Sequence, residues 1–170
     1  MKFIARGIAL GLVLALCAAA GLLIRQYGFG LVRISGTSMN DTLMDGDIAF
    51  VTRFDYRDGK TPALGDVVEC RFPRRSDTYI KRVMGLPGQR IKLSKYGLSI
   101  DGFPVSEPYV SSAAEDYEIA LGSDEYLLLG DNRARSYDSR MSDMGPVGAS
   151  AFLGRARFIL WPPGRIGTVE

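Results

Sequence analysis

The chain contains no histidine among its 170 residues. That absence excludes a Ser-His-Asp triad, a Cys-His dyad, an HExxH zinc site and a His-ligated haem. Cysteine is nearly as scarce, and Cys17 and Cys70 alone can build neither a Cys-rich zinc site nor a disulfide framework. On so ligand-poor an inventory no metal or organic cofactor is expected, and any catalysis must rest on Ser, Thr, Lys, Tyr, Arg or carboxylates. Acidic residues are missing from positions 1–33, which hold Lys2, Arg6, Arg25 and Arg33. Of the 21 basic residues, 17 then remain to face 19 acidic ones, so the positive excess sits wholly at the amino end. No basic run or helical stripe follows, and no nucleic-acid partner is expected.

Between Arg6 and Arg25 lie 18 uncharged residues, Gly7–Ile24. As a helix they would span about 27 Å at 1.5 Å per residue, enough to cross a bilayer. A cleavable secretory signal is the competing reading, with Ala18-Ala19-Ala20 as its small-residue cleavage site. The length of the run and the basic residue that ends it favour a retained anchor. Either way the rest of the chain crosses the membrane. The expected organisation is a membrane anchor with a short linker over 1–30, its transmembrane helix at about 7–24, followed by one β-rich domain over 31–170.

After residue 33 the pattern changes to short apolar runs separated by Gly, Pro and Asp, with no long helical period. Leu31–Ile34, Asp47–Phe54, Asp66–Phe72, Thr78–Leu86, Arg90–Leu93, Leu98–Ile100, Glu125–Leu129 and Arg155–Trp161 read as strands. Lys95-Tyr96-Gly97 and Asp101-Gly102 are hairpin signals, whereas Ser111–Asp124 reads as a polar surface loop or extension.

Three segments carry chemistry. Ser35-Gly36-Thr37-Ser38-Met39-Asn40-Asp41-Thr42-Leu43 is a small-residue turn that can lift one hydroxyl clear of a sheet, with backbone N–H groups around Gly36 and Ser38 left to hold an oxyanion. In Tyr79-Ile80-Lys81-Arg82-Val83-Met84, strand alternation puts Lys81 on one face and Arg82 on the other, each among apolar side chains. A snorkelling Lys on a half-exposed strand is the bland alternative. In a chain without histidine, a desolvated Lys81 can instead act as a neutral general base, provided burial brings its pKa well below the usual value of about 10.4. Gly130-Asp131-Asn132-Arg133-Ala134-Arg135-Ser136-Tyr137-Asp138-Ser139-Arg140 alternates acids and arginines, which suits either a solvated loop or a hydrogen-bonded brace.

Together these segments resemble the type I signal peptidases. The family pattern is an amino-terminal anchor, a box Ser-Met-x-Pro-Thr-Leu, a box Tyr-x-Lys-Arg-Val-x-Gly-x-Pro-Gly, and then Gly-Asp-Asn-Arg-x-x-Ser-x-Asp-Ser-Arg. All occur here in that order, over most of the chain. The resemblance implies a mainly β catalytic domain of the signal-peptidase barrel or sandwich kind behind one transmembrane helix. It implies a single-pass protein of the bacterial inner membrane, with the catalytic domain on the periplasmic or extracytoplasmic side. The partners are then the lipid bilayer and preproteins bearing signal peptides. By the same resemblance Ser38 is the nucleophile and Lys81 the general base, with the Gly36 and Ser38 amides as oxyanion hole. Ser136 would hydrogen-bond the lysine amine, and Arg82–Asp131 and Asp138–Arg140 would brace the site. Ile34, Phe50, Val83 and Met84 are candidate pocket linings, with plain core as the readier account of each.

Asp41 stands where the family has Pro, Ala134 and Arg135 replace Asp-Asn, and Gln89 replaces an acid. None removes a reacting group. A dedicated peptidase for pilin-like subunits in conjugation would share every motif. A membrane-tethered β-domain that only binds extended peptides would share the architecture without the reaction.

Overall fold

The computed structural model describes residues 2–56, 59–112 and 114–169, and in the first helix it describes side chains for residues 10–22 alone. The helix α1 covers Lys2–Tyr27 and is rich in Leu and Ala, which lose little freedom on becoming helical. The span expected over Gly7–Ile24 falls partly outside the described side chains. Among the described residues no helix is long and apolar enough to cross a membrane.

Among the described residues eleven strands follow: β1 Phe29–Arg33, β2 Ile48–Thr52, β3 Val67–Cys70, β4 Tyr79–Gly85, β5 Arg90–Ser94, β6 Gly97–Ile100, β7 Phe103–Val105, β8 Tyr117–Ala120, β9 Leu127–Leu129, β10 Phe152–Trp161 and β11 Gly167–Thr168. The fold is mainly β, as the spacing of apolar runs predicts. One sheet runs β1-β2-β10-β3-β4-β9, with β11 paired to β10, and a smaller one runs β7-β6-β5-β8. Every pairing in both sheets is antiparallel. The polar stretch Ser111–Asp124 is not only loop, because Tyr117–Ala120 forms β8 and pairs with β5.

β4 sets up the chemistry. Its last five residues, Lys81–Gly85, are all buried, where strand alternation alone suggests a half-exposed ribbon. Both faces are covered. Val83 packs in a cluster with Val68, Phe72, Tyr126 and Leu128, while Met84 packs with Ile91, Leu93 and Leu98 of the smaller sheet. Consequently both cations of the Lys81-Arg82 pair leave water, on opposite sides of one strand. A third cluster, beneath β1 and β2, takes Met39 and Leu43 together with Ala49 and Val51. These two side chains fasten the turn that carries Ser38 to the core.

Candidate active site

Ser38 and Lys81 come from turn and strand 43 positions apart, and Lys81 Nζ lies 2.7 Å from Ser38 Oγ. Lys81 is 2% exposed. Burial holds its pKa below the ordinary value; the charge of Asp138 pulls upward, and that of Arg140 downward again. Cys70, which shares the Val83 cluster, is itself pushed up to about 12 by burial. It stays a thiol at neutral pH and lends no negative charge to the lysine. What results is a primary amine biased toward its neutral form within proton-transfer reach of a hydroxyl.

Arg82, one residue along, is equally buried and has the opposite electrostatics. Its Nε donates to Asp131 Oδ1 at 2.9 Å and its Nη2 to Asp131 Oδ2 at 2.7 Å, a two-pronged ion pair. Nη1 donates to the Gly65 carbonyl at 3.0 Å, and the Tyr109 ring lies 3.8 Å from the guanidinium carbon. Thr42 donates its hydroxyl to Asp131 Oδ2 at 2.5 Å. That bond ties the segment after Ser38 to the Arg82–Asp131 pair. Thr42 was missed as a positioning residue from the sequence, although it is the Thr of the family's serine box.

The segment Gly130–Arg140 meets the turn that carries Ser38. Arg140 donates through Nε to Asp138 Oδ1 at 2.8 Å and through Nη2 to Oδ2 at 3.0 Å, and the Gly130 N–H donates to Asp138 Oδ2 at 3.0 Å. Burial works to raise the Asp138 pKa, but the Arg140 bonds and charge and the Gly130 amide outweigh it and hold the carboxyl below its ordinary value. Arg133 forms a buried ion pair with Glu107. The Asn132 N–H donates to the Ser38 carbonyl at 3.0 Å, so this segment grips the backbone of Ser38 itself. A Cβ added at Gly130 would stand 2.4 Å from Ser38 O and 2.2 Å from Ser136 Oγ. Only glycine allows that approach.

Some expectations need correction. The Gly36 N–H is not free for an oxyanion, because it donates to Asp45 Oδ1 at 2.8 Å. Gly36 turns there with φ +95°, and the exposed carboxylate nine residues on caps the amide so presented. No acceptor among the described residues takes the Ser38 N–H. Ser136 does not bond the lysine amine: its Oγ is buried against Gly130 and interacts instead with the Asp138 carboxyl. Val83 and Met84 are 0% and 1% exposed and Ile34 6%, which makes them core rather than pocket wall. Phe50 lies in the outer aromatic group, stacked on Phe29 at 5.2 Å between ring centres.

Comparison with known proteins gives the family. The family model described as signal peptidase, peptidase S26, matches residues 6–161. Signal peptidase I of Bacillus licheniformis is 33% identical over 83% of this chain and 81% of its own. Signal peptidase I T of Bacillus subtilis (strain 168) is 30% identical over 89% of this chain and 84% of its own. A crystal structure of a signal peptidase I from Enterococcus faecalis V583 superposes with a TM-score of 0.52 at 28% identity, covering 56% of this chain and 97% of that one. The fold, the joint presence of the three motifs and a family match over most of the length lead to one conclusion: the chain is a peptidase that belongs to the signal peptidase family, peptidase S26.

Proposed function

We propose that the chain removes amino-terminal signal peptides from preproteins as a serine endopeptidase with a Ser-Lys dyad. The observation that carries this reading is the 2.7 Å approach of a buried, charge-disfavoured Lys81 amine to Ser38 Oγ. Neutral Lys81 takes the Ser38 proton as Oγ attacks the scissile carbonyl. The resulting ammonium returns that proton to the leaving amine. The Ser38 N–H stabilises the oxyanion, and the Gly36 N–H can join it only when the Asp45 carboxylate lets go. A water deprotonated by Lys81 then releases the acyl group from Ser38.

The same chain is anchored by α1 as a single-pass protein of the bacterial inner membrane, with the domain over 31–170 on the extracytoplasmic side. Three features support this. Residues Gly7–Ile24 carry no charge. Leu10, Leu12, Val13, Leu14, Leu16 and Leu22 of the helix are all exposed. Phe29, just after the helix, and Phe54, Phe158, Leu160 and Trp161 are exposed as well, and Phe29 meets Phe54 edge-on at 5.6 Å, so the domain carries exposed apolar side chains of its own. A substrate whose signal helix still lies in lipid would meet the enzyme on one surface.

Cleavage of a secretory preprotein by the full chain in detergent tests the reading. Ser38→Ala and Lys81→Ala are each expected to abolish turnover, and wild-type activity should fall as acid protonates Lys81. Turnover by either variant at the wild-type rate, or a rate unchanged from pH 9 to pH 5, refutes the dyad.

A further inference from the structure

We infer that Asn132 is a positioning residue for the oxyanion hole, acting through the peptide that joins Thr37 to Ser38. This rests on the Ser-Lys reading above and concerns the amide which that reading uses. A peptide group is planar, with its C=O and N–H pointing in opposite directions, so whatever orients the Thr37 carbonyl also orients the Ser38 N–H. Asn132 Nδ2 donates to the Thr37 carbonyl at 3.1 Å, and the Asn132 backbone N–H donates to the Ser38 carbonyl at 3.0 Å. One residue therefore holds the carbonyls at both ends of the nucleophile's backbone. Among the described residues the only other donor to Thr37 O is the Asn40 N–H at 3.2 Å, from within the same turn. Among them Asn132 alone ties that peptide to a different part of the chain.

The side-chain amide has one workable orientation. Thr37 O can only accept, so the NH2 group must face it. On the other side, Ser112 Oγ accepts the Ala134 N–H at 3.2 Å, which leaves its hydroxyl hydrogen to donate to Asn132 Oδ1 at 3.3 Å. The path runs from Ser112 through Asn132 to Thr37 O and ends on the Ser38 N–H. Donation into a peptide carbonyl also polarises that peptide and strengthens its N–H as a donor. Because Asp45 holds the Gly36 amide, the Ser38 N–H carries the oxyanion at the start of the reaction, and its aim depends on this tether.

The test compares wild type, Asn132→Ala, Asn132→Asp and Ser112→Ala, each as full chain in detergent, on one preprotein. A peptide aldehyde that matches the residues before the scissile bond serves as tetrahedral-adduct probe. Asn132→Ala is expected to lower kcat by about 10–100-fold with KM within about threefold, since loss of an oxyanion donor outright costs about 100–1,000-fold. Aldehyde affinity should fall by the same factor as kcat/KM, while the midpoint of the acid limb stays put because Lys81 is untouched. Asn132→Asp keeps shape and the backbone bond to Ser38 O but puts an acceptor against Thr37 O, so it should lose at least as much at an unchanged melting temperature. Ser112→Ala should lose less than either. Wild-type kcat in both Asn132 variants overturns the inference, as does a loss that travels with the acid limb or appears in KM with aldehyde affinity intact. Ser38→Ala separates the layers. If it still cleaves, the Ser-Lys reading fails; if it is dead while the Asn132 variants cleave normally, only the positioning role fails.

Discussion

Replacing Gly130 with alanine tests whether the Gly130–Arg140 segment holds the nucleophile in place. The added Cβ would lie 2.4 Å from the Ser38 carbonyl oxygen, 2.2 Å from Ser136 Oγ and 2.5 Å from Ser136 Cβ, where about 3.0 Å is the floor for such contacts. Ser136 can turn its hydroxyl away, but the Ser38 carbonyl is backbone and must move by about 0.6 Å, or Gly130 must. Overpacking of this kind costs about 1–3 kcal/mol, or about 2–4 °C of melting temperature per kcal/mol in a chain this long. The activity loss should be larger than the stability loss suggests, because misplacement of about 1 Å at a reacting group costs about 100-fold. Circular dichroism melting and a preprotein cleavage assay read the two separately. Adding Ser136→Gly to Gly130→Ala removes two of the three clashes, so the double variant should recover part of the melting temperature and little activity. Full recovery of activity in the double variant, or a wild-type rate in Gly130→Ala alone, would refute the idea that the Ser38 carbonyl contact limits the site.

Three further outcomes are expected. Thr42→Val removes the hydroxyl that donates to Asp131 and leaves the buried Arg82–Asp131 pair short of one bond, so thermal or urea unfolding should show about 1–3 kcal/mol of lost stability. Lys81→Met should kill activity yet raise stability by about 0.5–2 kcal/mol at neutral pH, as relief of an active-site constraint often does. Since the folded Lys81 pKa lies below the ordinary 10.5, the unfolded chain binds the extra proton between those values, and the gain should shrink as pH rises toward 10.5 in pH-dependent melts. Asp138→Asn should destabilise above pH 3.8, and the difference from wild type should vanish as pH falls through the lower folded value, because both chains are then neutral at that position.

Legibility in the sequence followed the strength of local signals. Eight apolar runs became strands within about three residues of their expected bounds, Thr78–Leu86 becoming Tyr79–Gly85 for example. The strands that escaped notice, β7, β8 and β11, are short edge segments of three, four and two residues. Pro104 in β7 and the outward Glu118 in β8 are tolerated because an edge needs neither full pairing nor full burial. That Ser38 and Lys81 meet was readable because the proposed reaction demands their residue types, whereas the partners of single polar atoms depend on tertiary placement. So Asp45, at the Gly36 amide, carried no motif, and Ser136 shares its motif with Arg140 yet makes no bond to the lysine. Asn132 and Gly130 stood in the quoted pattern, but nothing local shows that the first grips Thr37 and the second yields room to Ser38.

Turn, strand β4 and the Gly130–Arg140 segment reach one another only through long-range pairing, with Ser38 O bonded to a residue 94 positions away. On the Ser-Lys reading, proteolytic competence therefore belongs to the completed sheet, and an unfolded copy, which lacks the Ser38–Lys81 contact, should cut nothing beside it. Loss of fold and loss of hazard then coincide.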